Sequence, residues 1–285
     1  MTHRAAALES VGPGGRAAID IGDYVDGIAA FIGGTANVIM QLSEPAVGYG
    51  VVESTVDSGK VMLHPVKRLR TTMTYLAVAL LGNDLERVRF RDAVNSVHRQ
   101  VRSGPDSPVA YNAFDTKLQL WVAACLYYGV DDLFRRLRGQ PDDALAEQLY
   151  RESIRLGTTL QVRADQWPRD RAAFYEYWNR ELATKTIDDT VRAYFNDLID
   201  LKMLPRPLQL LFARPQRFVV TGLLPPHLRD EMHMRWSERQ ERRLNRILSA
   251  VGAVSKRLPR VLRQFPVNYY LWDMRARIRL DRPLV

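Results

Sequence analysis

A histidine on an apolar helical stripe, His98, is the residue of this chain whose position most strongly suggests chemistry. Val94, Val97, His98 and Val101 follow the i, i+3, i+4, i+7 spacing that places side chains on one face of a helix. An imidazole on that face needs a partner for each ring nitrogen, because unpaired polar atoms are costly to bury. Two roles meet this need: ligation of a buried iron, or a hydrogen bond from a structural histidine to a backbone carbonyl. The local pattern by itself favours the structural histidine.

A guanidinium and a hydroxyl accompany the apolar stripe of the preceding predicted helix. That stripe consists of Leu69, Thr72, Met73, Leu76 and Leu80, and Arg68 lies on its flank one turn before Thr72. A charge that faces a core demands a partner. The sequence leaves two alternatives open. Thr72 bonds back to the preceding turn and Arg68 pairs with an acid, or both line a pocket.

If these two helices pack together, the space between them suits a b-type haem. Such a haem needs an axial ligand, most often a neutral histidine, as well as apolar walls and cations for its two propionates. His98 and its flanking valines could supply the first two. The cations could come from a group of nearby arginines: Arg68, Arg70, Arg89, Arg91 and Arg99.

The elements that must position these residues are all predicted to be helices. Apolar residues recur with the helical period through nearly the whole chain, whereas alternating β-branched runs are nearly absent. The expected fold is all-α, with helices over residues 23–42, 65–81, 84–102, 113–138, 142–157, 169–184, 188–200, 206–221, 236–256 and 266–280.

Length and composition indicate one globular domain over residues 23–285. The chain has 285 residues, of which 46% are hydrophobic and 26% charged, and no composition break or Gly/Ser-rich linker follows residue 22. Residues 1–22 are predicted to be a disordered leader rather than a signal peptide. A single cysteine, Cys125, excludes an intramolecular disulfide and fits a cytoplasmic protein.

The net charge of +9 is concentrated near the end of the chain, where residues 235–282 contain 13 Lys and Arg against 4 Asp and Glu. The basic helix predicted over residues 236–256 is amphipathic, so it could dock its apolar stripe in the core or lie on an anionic membrane surface. Docking in the core is preferred. No motif that reads nucleic acid is present, and we expect no nucleic-acid partner.

Four segments of the chain resemble the MpaB-type and latex-clearing (rubber) oxygenase family. They are RLRTTMTYLAVALLG at 68–82, VNSVHRQVR at 94–102, YNAFDTKLQLWVAA at 111–124 and LLPPHLR at 223–229. The resemblance extends over residues 25–280. It implies an all-helical b-haem protein that reacts dioxygen with the double bonds of isoprenoid substrates.

The resemblance also implies roles for individual residues. His98 matches the family's axial haem ligand and metal-binding residue, and Arg68 and Thr72 match its polar residues on the opposite, catalytic side of the cofactor. Thr71 stands where the latex-clearing enzymes have a lysine able to ligate iron, which predicts an open or water-occupied position there. Glu44 and Glu53 replace histidines of two further family motifs.

The sequence therefore predicts a haem-b-binding oxygenase-like protein that acts with dioxygen on a lipophilic, isoprenoid or lipid-like substrate. Two rival functions remain: a haem-binding protein without catalysis, for haem handling or sensing, and a cofactor-free helical interaction protein with a structural His98. Peripheral membrane contact and assembly into a homo-oligomer are left open.

Overall fold

A computed structural model describes residues 19–54, 56 and 59–285 of the chain. Nearly all of the predicted leader lies outside the described residues, so that prediction stays a prediction. The all-α expectation is confirmed: the described residues form helices and no strand, with one isolated antiparallel bridge between Arg102 and Asn112.

The helices follow one another through short connections. In chain order they are α1 (Gly27–Leu42), α2 (Pro45–Val52), α3 (Pro65–Leu81), α4 (Asp84–His98), α5 (Thr116–Arg138), α6 (Asp143–Ser153), α7 (Arg155–Thr158), α8 (Arg171–Leu182), α9 (Asp189–Ile199), α10 (Arg206–Leu223), α11 (Pro226–Glu231), α12 (Glu238–Ser255), α13 (Arg260–Gln264) and α14 (Val267–Arg279).

The helix that carries His98 is shorter than the sequence predicted. It ends at His98 instead of residue 102, so Val101 does not extend its apolar stripe. Beyond that point the backbone pairs with a later segment: Ser103 N donates to Tyr111 O over 2.9 Å, and Ala113 N donates to Val101 O over 3.0 Å. Hydrophobic periodicity does not reveal backbone pairing between segments about ten residues apart. The predicted helix was therefore four residues too long.

The long helix α5 lies at the centre of the fold, where α1, α7 and α12 pack against it. Its Trp121 is buried and its indole N–H donates to the carbonyl of Met40 over 3.2 Å. On the opposite side, Gly252 of α12 lies against the backbone of Leu137, with no room for a Cβ atom. A glycine is therefore required for α12 to approach α5 this closely.

The preferred interpretation of the basic helix is confirmed, because α12 docks its apolar stripe in the core. Leu244 and Leu248 are fully covered by protein. None of the helices in the described part of the chain has the length and hydropathy needed to span a bilayer.

The consecutive helices α3 and α4 pack against each other as a hairpin. The connection is Gly82-Asn83, and Asn83 forms a capping box with Glu86, which fixes where α4 begins. Because the chain reverses there, the first turns of α3 lie near the last turn of α4. Arg68 and Thr72 are thereby brought toward His98, at what we call the open end of the hairpin.

Candidate functional site

Protein covers the two ends of the α3–α4 hairpin unequally. Near the connection, Met73, Ala77 and Leu80 of α3 and Phe90 of α4 are buried. At the open end, Leu69 is 39% exposed, although its helical phase continues the same buried stripe. The open end is therefore an apolar surface that the described residues leave accessible.

The imidazole of His98 makes no hydrogen bond with the described residues. Its Nδ1 atom is buried without a partner. Its Nε2 atom also lacks a partner but keeps accessible surface. The ring packs edge-on against Phe114, with 6.3 Å between the ring centroids. The structural alternative, a hydrogen bond to a backbone carbonyl, is not observed.

Electrostatics keep His98 neutral. Burial, together with the positive charge of Arg68, lowers the pKa of His98 from 6.5 to about 4. A neutral imidazole is the form that binds a metal ion, because a protonated ring nitrogen has no lone pair to donate. His98 is therefore in the ligating form at neutral pH.

Arg68 is surrounded by protein and yet keeps accessible surface. Its side chain counts as exposed, while desolvation by the atoms around it lowers the pKa of its guanidinium. The described residues provide no carboxylate partner for it, contrary to the structural alternative, and its charge interacts with Tyr194 of α9 as well as with His98.

The two adjacent threonines of α3 differ in their bonding. Thr71 donates its hydroxyl to the carbonyl of Lys67 over 3.0 Å, a bond within its own helix. The Thr72 hydroxyl has no such bond and is only partly buried. The back-bonding considered for Thr72 is thus made by its neighbour, and Thr72 is left free to interact at the open end.

The other arginines considered as propionate partners lie in different surroundings. Arg91 donates to the carbonyls of Thr158 and Thr159, over 2.8 and 2.9 Å, and so holds the end of α7. Arg70 lies near Tyr270 and Asp273 of α14. Arg89 and Arg99 are exposed, as expected for solvated side chains.

The two glutamates that replace family histidines are both engaged. Glu44 accepts a hydrogen bond from the buried Lys185 over 2.6 Å, and Lys185 also lies 4.6 Å from the ring centre of Trp121. Glu53, at the end of α2, accepts from the Tyr111 hydroxyl over 3.1 Å. Neither carboxylate interacts with His98.

No alternative metal site accompanies His98. Among the described residues, no group of three or more His, Cys, Asp or Glu could hold a metal ion. His227 is bonded through Nε2 to the carbonyl of Lys185 over 2.7 Å, and Glu231 accepts from the Ile187 amide over 2.8 Å. His64 caps α3 and is exposed, with no side-chain bond to the helix.

Sequence reasoning identified three members of this site and missed a fourth. Arg68 and His98 interact electrostatically, and Thr72 lies one turn from Arg68 on the same helix. Tyr194 was missed because it looks like one more core residue on the amphipathic α9. Its electrostatic interaction with Arg68 links residues more than a hundred positions apart.

The residues at the open end fit a b-type haem. His98 offers a neutral imidazole with an accessible Nε2, Leu69 offers an apolar wall, and Arg68 offers a cation that no carboxylate neutralises. The usual hydrogen bond from the second ring nitrogen of an axial histidine to a carbonyl or carboxylate is missing here, since Nδ1 has no partner.

Comparison with known proteins identifies a family for this chain. The family model described as "ER-bound oxygenase mpaB/B'/Rubber oxygenase, catalytic domain" matches residues 23–253. Two relatives, from Mycobacterium bovis and Mycobacterium tuberculosis, are each 49% identical over 250 residues, which is 88% of this chain and 98% of the relative. Both bear the name uncharacterized protein. No solved structure matches the chain.

Proposed function

The chain belongs to the family of mpaB/B' and rubber oxygenase catalytic domains, and from this we propose that it is a haem-b-dependent oxygenase that acts with dioxygen on a lipophilic substrate. The oxygenase-type catalytic domain follows from the family. The proposal of haem and of the substrate class rests on one observation: a neutral His98 without a hydrogen bond interacts with the charge of Arg68, which has no carboxylate partner among the described residues.

His98 would hold the iron and Arg68 and Thr72 would lie on the reacting side. Haem supplies a redox-active iron for the reaction of dioxygen with a carbon–carbon double bond. Arg68 carries a desolvated positive charge that no acid neutralises, so it can stabilise negative charge that develops on oxygen. The free Thr72 hydroxyl can donate a second hydrogen bond to the same atom.

The surroundings also favour an apolar substrate. Leu69 exposes an apolar surface at the open end, next to the polar groups of the site. A few convergent polar groups within apolar walls are the usual composition of a small-molecule site. We infer an isoprenoid or lipid-like alkene as the substrate class, because the family includes rubber oxygenases and an apolar molecule can pack against this surface.

The assignment of the iron ligand is tested by the visible absorption spectrum of protein produced with ample haem. We expect the wild type to copurify with haem and His98→Ala to lose haem or shift its main absorption band. His64→Ala is the matched control, since His64 is an exposed histidine at the start of α3. Unchanged haem content together with an unchanged main absorption band in His98→Ala would reject His98 as the ligand, and loss in His64→Ala alone would reassign it.

The oxygenase activity is tested separately, by oxygen consumption of the haem-loaded protein with a reductant and isoprenoid or lipid alkenes. We expect Arg68→Met to reduce turnover by about a hundredfold while haem stays bound, the usual loss when a donor to a developing oxyanion is removed. Haem binding without any oxygen consumption would instead favour a non-catalytic haem protein. Colourless, folded protein that refuses added hemin would favour the cofactor-free alternative.

A further inference from the structure

An exposed apolar patch covers the outer face of the last helices, on the far side of α14 from α3. The α13–α14 patch, as we call it, consists of large side chains that are each about half exposed or more: Val261, Leu262, Phe265, Tyr269 and Trp272. Leu271 and Met274, on the opposite face of α14, are buried against the core. The helix α14 therefore has two apolar faces, and only one of them is used in folding.

The aromatic members of the α13–α14 patch form a continuous row. The ring centres of Phe265 and Tyr269 are 6.4 Å apart, and those of Tyr269 and Trp272 are 5.9 Å apart. Large contiguous exposed apolar patches are rare on proteins that act alone in water, and they mark contacts with proteins or membranes. Phe, Tyr and Trp together are typical of the membrane interface, where their amphipathic rings are most stable.

Positive charge surrounds this row. The segment from residue 254 to residue 272 contains four cations and no acid. Arg260 is neutralised by Asp20 and Asp23, at 2.5 and 3.0 Å. Lys256 donates only to the carbonyl of Arg138 and Arg257 only to that of Ala253, so both charges remain available.

These two cations also line a cavity of about 380 Å³ beside the end of α12. Its wall includes Arg138, which pairs with Asp26 through Nε but keeps Nη2 buried and without a partner. Val254 and Leu258, which flank the two cations in the sequence, are exposed apolar residues as well, and the chain continues from them into α13. Exposed apolar residues and cations thus alternate along this segment, which matches acyl chains beneath anionic headgroups.

We propose that the α13–α14 patch docks the protein onto the surface of an anionic phospholipid bilayer. The aromatic row inserts at the headgroup level, while Lys256 and Arg257 contact lipid phosphates. This assigns membrane contact to a surface other than the basic α12, whose apolar stripe is used in the core. The inference does not depend on haem or on oxygenase activity, so its test is independent of the proposed function.

The test is sedimentation of the full chain with vesicles of phosphatidylcholine alone and of phosphatidylcholine mixed with phosphatidylserine, at low and at high salt. We expect pelleting with the anionic vesicles at low salt and weaker pelleting at high salt. Phe265→Gln should weaken the apparent affinity about tenfold, the effect of losing one buried aromatic side chain. Phe31→Gln is the matched control, because Phe31 of α1 is equally exposed at 60% against 58%.

Tryptophan fluorescence provides a second measurement. Trp272 is 61% exposed, and the other four tryptophans are buried or partly buried. Anionic vesicles should therefore shift the emission to the blue, and Trp272→Phe should abolish most of the shift. Arg257→Gln should weaken binding about fivefold, close to the contribution of one cation near an anionic surface.

Three results would overturn the proposal. The first is the absence of pelleting with anionic vesicles at low salt. The second is an equal effect of Phe265→Gln and Phe31→Gln. The third is a stable dimer in analytical ultracentrifugation that Phe265→Gln dissociates, since the patch would then bind a second copy of the chain.

Discussion

Two cations of this protein, Lys185 and Arg68, differ in the partners that the fold gives them. Lys185 is 4% exposed and has Glu44 at 2.6 Å, Glu181 at 3.7 Å and the Trp121 ring at 4.6 Å. Arg68 has no carboxylate partner in the described part of the chain, and the imidazole near it, His98, has no hydrogen bond. The Lys185 cluster is electrostatically complete within the protein, whereas the open end of the α3–α4 hairpin is not.

The difference separates a structural role from a functional one. A buried charge that is fully paired holds elements together, here α2 and the segment before α9. Polar groups that remain unpaired cost free energy, which a bound ligand can recover. The comparison is consistent with a stabilising role for Lys185 and with the proposed ligand-binding role of Arg68, Thr72 and His98.

The largest expected effect is the loss of stability when the Lys185 cluster is broken. Glu44→Gln removes the near partner of Lys185 and leaves a buried charge with only the more distant Glu181. We expect the free energy of unfolding to fall by about 3 kcal/mol, the lower end for a broken buried pair. Urea denaturation followed by circular dichroism measures it. A loss of less than about 1 kcal/mol would mean that the cluster is not structural.

The next largest effect is the pH dependence of stability that His98 causes in the haem-free protein. Because the pKa of His98 is about 4 when folded and 6.5 when unfolded, protonation favours the unfolded state. The stabilisation is present above pH 6.5 and is lost as the pH falls toward 4. Between pH 7 and pH 5 we expect a loss of about 2 kcal/mol in urea denaturation. In His98→Gln this part of the pH dependence should disappear; an unchanged slope would contradict a neutral, buried imidazole.

A smaller effect is expected from the unpaired cation itself. Arg68→Met removes a desolvated charge that no carboxylate balances, so the free energy of unfolding should change by less than about 1 kcal/mol. The same change should raise the pKa of His98, because the charge of Arg68 holds it down. Titration of the histidine by NMR measures this shift. If Arg68→Met destabilised the protein as much as Glu44→Gln, the proposed difference between the Lys185 cluster and the open end of the hairpin would be wrong.

The smallest effect compares two neighbouring hydroxyls. Thr72→Val removes a hydroxyl that has no hydrogen bond in the protein, so stability should change by less than about 0.5 kcal/mol. Thr71→Val is the control, because it removes the bond to Lys67. In the haem-loaded protein only Thr72→Val should alter the affinity for a small iron ligand such as cyanide. A larger response from Thr71→Val would place Thr71 at the site instead.

Much of the fold could be predicted from local patterns. The bounds of α3 agree with the prediction at both ends, since Pro65 opens the helix and Gly82 closes it. The short helices α2, α11 and α13 were not predicted, because a few residues give too little periodicity to recognise. The sequence identified three site residues, His98, Arg68 and Thr72, because they are polar and lie on or beside apolar helix faces. Tyr194 was not identified, because a tyrosine on an amphipathic helix is not unusual.

The sequence by itself determined that the chain is helical, where α3 begins and ends, and that a histidine and an arginine accompany apolar stripes, because helical period and turn residues act over a few positions. Only the tertiary structure decided which polar groups obtain partners. Glu44 and Lys185 meet across 141 positions, whereas none of the residues that the structure describes neutralises Arg68 with a carboxylate or forms a hydrogen bond with His98. Such pairings depend on how whole helices pack, which short-range patterns do not encode.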